Sequence, residues 1–139
     1  MLNSNFTSVT TVPLSGSGGM GGLFWGTTGL VDASKLMFPA TTVGNFGYNH
    51  TFYGCSDMTK APEIFATDVG SRYGFGSLYD GCSSLTEIKI HYTGSFGGER
   101  TSGWVNGVAS SGTIYYNGSD TTRGTNAIPN NWTVSTFST

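Results

Sequence analysis

The sequence predicts a solenoid of about three to four coils, made of short parallel strands with irregular or short-helical return segments and closed by a small C-terminal cap. Three observations predict it. "FYGCSDMTKAPEI", from Phe52, and "LYDGCSSLTEIKI", from Leu78, repeat the same phrase 27 residues apart when Cys55 is set on Cys82. The connecting segments "FPATTVGNFGY" and "FATDVGSRYGF" repeat as well, so both halves of the unit recur. From Tyr92 onward the period is lost. A period of roughly 20 to 30 residues marks units that cannot bury their own apolar face and must lean on neighbours.

The units follow in order. The first, about residues 3–23, places Phe6 in the cysteine column and Val9 in the leucine column, with "GSGGMGG" standing in for a return segment. The second, about 24–51, sets Phe24 on Phe52, Gly26 on Gly54 and Thr27 on Cys55. The third and fourth span about 52–78 and 79–90. Each ends in a stretch such as Leu85, Ile88, Ile90 that alternates like a half-buried strand. The return segments Val43 to Phe52 and Val69 to Tyr79 carry apolar residues at roughly helical spacing and predict a short helical turn plus irregular backbone. Gly26, Gly54 and Gly81 precede the cysteine column and suit a positive φ at the corner into the strand. Residues 1–90 thus form the repeat body and 91–139 the cap. In the cap, Trp104, Val105 and Val108 predict one helical turn, and "TIYY" and "WTV" two short strands. Burial of Trp104 and Trp132 contributes a few kcal/mol each at about 25 cal/mol per Å².

The phrases around Cys55 and Cys82 resemble the aromatic-x-Gly-Cys-Ser-x-Leu-Thr pattern of BspA-type leucine-rich repeats, found in gut bacterial surface proteins and their phages. The resemblance covers roughly residues 3–90, and "SGWVNGVASSGTIYYNGSD" and the residues after it resemble the closing segment that follows such repeats. It implies a leucine-rich-repeat solenoid used in adhesion or interaction. Thr27, where the pattern has cysteine, and the shortened first unit depart from it.

Bulk properties narrow the partners. Charged residues are 10% of the chain, with 22 glycines and a net charge of -2. Six scattered Lys and Arg form no basic stripe for a phosphate backbone, so nucleic acid is not expected. No run approaches the ~18 apolar residues of a membrane span, and the start "MLNSNFTSVTTVPL" lacks the regions of a signal peptide.

Reactive chemistry is not expected. Cys55 and Cys82 share one column with an apolar residue three positions on, which predicts buried, reduced, structural thiols. His50 and His91 have neither C-x2-4-C nor H-x3-5-H spacing around them, so no zinc site is expected. "GSGGMG" satisfies G-x-G-x-x-G by composition alone, with no helix pattern after it. The eight carboxylates, Glu63 among them, are dispersed and form no recognisable acid/base pair. No cofactor is expected.

The remaining signal is surface. Thr59, Lys60, Thr86, Glu87 and Lys89 should face outward from the strands, and Trp25, Tyr53 and Tyr73 are aromatic anchors for a binding face. The expected function is therefore a non-enzymatic recognition or structural module. An initial Met1 without an export signal points to a phage virion component such as a fibre, decoration or receptor-binding protein. The alternative is a bacterial cell-surface adhesin domain, and an enzyme is the remote reading. Expected partners are a protein or glycan at a cell surface and other virion proteins. The first strand edge, near residues 6–14, should be covered by a second copy or a docked partner.

Overall fold

The computed structural model describes residues 21–137. It contains six short strands: β1 (Thr42–Val43), β2 (Lys60–Ile64), β3 (Asp68–Val69), β4 (Glu87–Ile90), β5 (Thr113–Tyr115) and β6 (Thr133–Ser135). They form two all-parallel sheets, one of β1 and β3 and one of four strands in the order β2-β4-β5-β6. Single parallel bridges from Asp32 to Lys60 and from Phe38 to Ile64 continue the larger sheet beyond β2. Pro62 lies inside β2, where the register shifts between Lys60 and Glu63. A residue without an N–H is tolerated at such an irregularity.

These findings overturn the BspA-type leucine-rich-repeat solenoid. The described residues hold no helix, and strands do not alternate with helical segments. The expected helical turns in 43–52, 69–79 and 104–108 are replaced by a ribbon of consecutive turns. In it, Gly47, Asn49, Thr51, Tyr53 and Cys55 each donate an N–H to the carbonyl three residues back. The residues between them, Phe46, Tyr48, His50, Phe52 and Gly54, donate instead to Arg72, Gly74, Gly76, Leu78 and Asp80 in the next layer. In that stretch no N–H is left for an i→i−4 ladder, and in 69–79 one such bond, from Gly74 to Gly70, stands without a successor. The backbone also enters the left-handed region every fourth residue, at Phe46, His50 and Gly54 and again at Tyr73, Ser77 and Gly81. An α-helix cannot contain such residues.

The core lies between the ribbon and the larger sheet as one cluster running from Phe24 to Trp132. Two columns of stacked rings fill it. Phe24 stacks on Phe52 at 5.2 Å and Phe52 on Tyr79 at 6.0 Å. Tyr48 stacks on Phe75 at 6.2 Å and Phe75 on Trp104 at 5.9 Å. Leu30, Met58 and Leu85, with Ile64, Ile88, Ile90 and Ile114, supply the aliphatic side.

The last part of the chain is tied down by side-chain donors. Trp104 Nε1 donates to the Ala127 carbonyl and Trp132 Nε1 to the Ala109 carbonyl, both at 2.8 Å. The Arg123 guanidinium binds the carbonyls of Pro129 and Trp132, which gives the loop before β6 a fixed shape. The expectations for the first unit, including Phe6, Val9 and an exposed edge at residues 6–14, lie outside the described residues.

Candidate binding face

The anticipated binding residues belong to two surfaces. Thr59, Lys60, Thr86, Glu87 and Lys89 lie on or beside the larger sheet, in columns set by its register. Asp32, Lys60, Glu87, Thr113 and Thr133 follow one another across the strands, and Glu63, Lys89, Tyr115 and Ser135 form the next column. The threonines are already engaged: Thr59 Oγ1 donates to the Val31 carbonyl at 3.1 Å and Thr86 Oγ1 to the Thr59 carbonyl at 3.3 Å. Their hydroxyls therefore stitch one layer to the next. Lys89 Nζ sits 5.2 Å from the centroid of the Tyr115 ring, within cation–π range.

Trp25, Tyr53 and Tyr73 belong to the turn ribbon. Trp25 is 57% exposed, stacks on His50 at 4.8 Å and leans on Tyr53 at 4.7 Å. Tyr73 is apart from that trio and stacks on the exposed ring of Phe46 at 5.4 Å. The ribbon's cross-layer bonds run from Gly26 to Tyr53, Gly54 to Asp80 and Gly81 to Asn106. They set Trp25, Tyr53, Asp80 and Asn106 in one column. Asn106 Nδ2 donates to Asp80 Oδ1 at 3.1 Å, so these two side chains orient one another.

His50 occupies a ribbon position with φ 60°, where the matching residues of neighbouring layers are Gly22 (φ 68°), Ser77 (φ 49°) and Gly103 (φ 62°). A non-glycine side chain there carries a backbone cost of order 1 kcal/mol. The chain accepts that cost and thereby supports the Trp25 ring from below.

Immediately after Asn106 the surface opens into a cleft of about 190 Å³. Val105, Val108 and Pro129 give it apolar walls, and Ser110, Thr125, Asn130 and Asn131 give it polar groups. Asn131 is also held at positive φ, 66°. None of the lining side chains is charged.

A second cluster lies on the larger sheet. His91 Nε2 is 2.7 Å from Glu63 Oε2, and the imidazole lies between the rings of Phe65 and Phe137 at 4.7 and 4.4 Å. Each of the two side chains stays about a third exposed. The sequence gives no sign that Glu63 and His91 meet: the register sets Glu63 beside Lys89 and Ile64 beside Ile90, so His91 falls opposite Phe65 and reaches Glu63 diagonally. Trp25 and Tyr53, by contrast, occupy equivalent positions of successive units. Extending the repeat from backbone to side-chain pairs is the signal that finds the Trp25–Tyr53 contact.

The structural residues are inside or at corners. Gly26, Gly54 and Gly81 have φ of 66°, 72° and 79° and stack layer on layer. Cys55 and Cys82 are buried free thiols, whose Sγ atoms donate to the carbonyls of Phe24 and Phe52 at 3.0 Å. Burial pushes the Cys55 thiol up to about 11 and raises Cys82 further. A thiol held protonated in this way is a poor nucleophile. Trp104 and Trp132 are buried. Among the described residues no group of three or more His, Cys, Asp or Glu side chains converges to hold a metal ion, and no helix is long and apolar enough to cross a membrane. No protein-family model, curated protein or solved structure matches the chain.

Proposed function

We propose that the protein is a non-enzymatic recognition and structural module, carried on a virion surface, that presents ordered columns of side chains to a partner at a cell surface. The observation supporting this reading is the layer-to-layer register. Trp25, Tyr53, Asp80 and Asn106 on the ribbon, and Lys60, Glu87 and Thr113 on the sheet, repeat at the strand spacing of about 4.8 Å. Backbone bonds on both sides fix those positions, so a partner meets a surface that loses little conformational freedom on binding. The low charge, 10% of residues, favours contacts through rings and hydrogen bonds over long-range steering.

The test is saturable binding of fluorescently labelled protein to intact bacterial cells, competed by unlabelled protein, together with immunogold labelling of purified particles. Competed cell binding and gold at symmetric sites on particles are the expected results. Cells that take up no label in a competed manner would remove the recognition function, and gold on cells in place of particles would reassign the module to an adhesin.

A further inference from the structure

We propose that the turn-ribbon face, from Trp25 to the cleft beyond Asn106, is a binding site for a neutral oligosaccharide. This rests on the recognition reading above and names the ligand class. Three features meet on one line. At one end an exposed indole is braced by His50 and Tyr53 at 4.8 and 4.7 Å, a platform for the apolar face of a sugar ring. Along the line, Asp80 and Asn106 are fixed by their mutual hydrogen bond and offer further acceptors and donors at successive layers. At the other end the cleft of about 190 Å³ combines apolar walls with two carboxamides and two hydroxyls, the mixture that a sugar ring with one apolar face and a polar rim requires.

Charge selects the class. The cleft has no charged lining side chain, and the guanidinium beside it, Arg123, is bound to the Pro129 and Trp132 carbonyls. An anionic sugar finds no free cation in the lining, while Asp80 in the column opposes it. Length follows from the layers: three steps from Trp25 to Asn106 span about 14 Å at the strand spacing, so a chain of three to four sugars reaches from platform to cleft.

Two residues supply fold-preserving tests, because both hold positive φ. Exchanging His50 or Asn131 for glycine removes the side chain and relieves the backbone at once. The protein is applied to an array of neutral hexose and N-acetylhexosamine oligomers of one to six units, with sialylated and uronic-acid oligomers alongside. Expected is retention on neutral oligomers, with affinity rising at least tenfold from monomer to tetramer and then levelling. His50→Gly and Asn131→Gly should each lower tetramer affinity at least fivefold while the melting temperature holds or rises, and Trp25→Ala at least tenfold. Unchanged affinity in these variants, or preference for the acidic oligomers, overturns the proposal. Cell binding that survives periodate but not protease, with no retention on the array, also overturns it in favour of a protein partner and leaves the recognition reading standing. Absence of both array and cell binding removes the two together.

Discussion

Tyr48 and Tyr79 are fully buried, and their hydroxyls have no hydrogen-bond partner among the described residues. An unpaired buried hydroxyl costs roughly 1–3 kcal/mol. Tyr79→Phe keeps the ring stacked on Phe52 and removes that cost, so it should leave stability unchanged or raise it by about 1–2 kcal/mol in urea denaturation. A loss above ~1 kcal/mol would show that the hydroxyl is bonded after all. The thiols give a second residue-scale expectation. Cys55 titrates from the ordinary 9.0 up to about 11, and Cys82 is raised further, first by burial and then by Cys55 beside it. Across pH 9 to 11 the unfolded chain releases protons that the folded chain keeps, so the unfolded state binds fewer and stability falls as pH rises. The urea midpoint should therefore be steady below pH 9 and drop above it. In Cys55→Ala/Cys82→Ala the drop should be smaller, and an identical drop would assign it to Tyr48 and Tyr79, whose hydroxyls burial also raises.

Elements show which parts of the fold were legible and which were not. The spacing of Ile88 and Ile90 has period two, and β4 lies there. "TIYY" and "WTV" likewise coincide with β5 and most of β6. The return segments misled for a physical reason: Val43 and Phe46 are three apart and Tyr48 and Phe52 four apart, as on a helix, and spacing does not reveal whether an N–H bonds along the chain or to a neighbouring layer. Glycine at every fourth position would have exposed the turn ribbon. Phe46, His50, Tyr73 and Ser77 occupy those positions instead and hide it. The proposed binding face was half legible for the same cause, since Trp25 and half-buried Tyr53 were expected there as aromatic anchors but His50, lodged at a glycine position, was not. Close approach between layers does leave glycine no substitute at Gly112. A Cβ there would stand 2.5 Å from the Thr86 carbonyl oxygen and 2.8 Å from Trp132 Cζ2. The former is backbone of the adjacent layer and the latter a ring fixed by its bond to Ala109. Gly112→Ala should consequently cost about 2–3 kcal/mol, as overpacking does, and far-UV circular dichroism through a urea titration measures it. A cost below ~0.5 kcal/mol would mean that β5 shifts freely against β4.

At the scale of the whole molecule, the question is whether the layers melt singly or together. Stacked units that touch only their neighbours can unfold piecemeal when the interfaces between them are weak. Here each interface from the Phe24 layer to the Trp104 layer carries a ring stack, a row of ribbon hydrogen bonds and strand or bridge pairing, and the buried side chains from Phe24 to Trp132 belong to one cluster. Those joint contributions favour a single transition. Cys55 and Cys82 report on it from adjacent layers, because both are buried and react only when their layer opens. Ile114, fully buried in β5, lies a layer beyond Cys82 and further still from Cys55. Truncation to Ala should remove about 2–5 kcal/mol. If unfolding is cooperative, brief alkylation pulses at increasing urea will label both thiols at one midpoint, and Ile114→Ala will move both midpoints down equally. Were the layers independent, Ile114→Ala would shift Cys82 and leave Cys55 where it was. The equal shift would also mean that the ribbon face is held rigid by contacts as distant as β5, which is the condition for its columns to meet a partner already ordered.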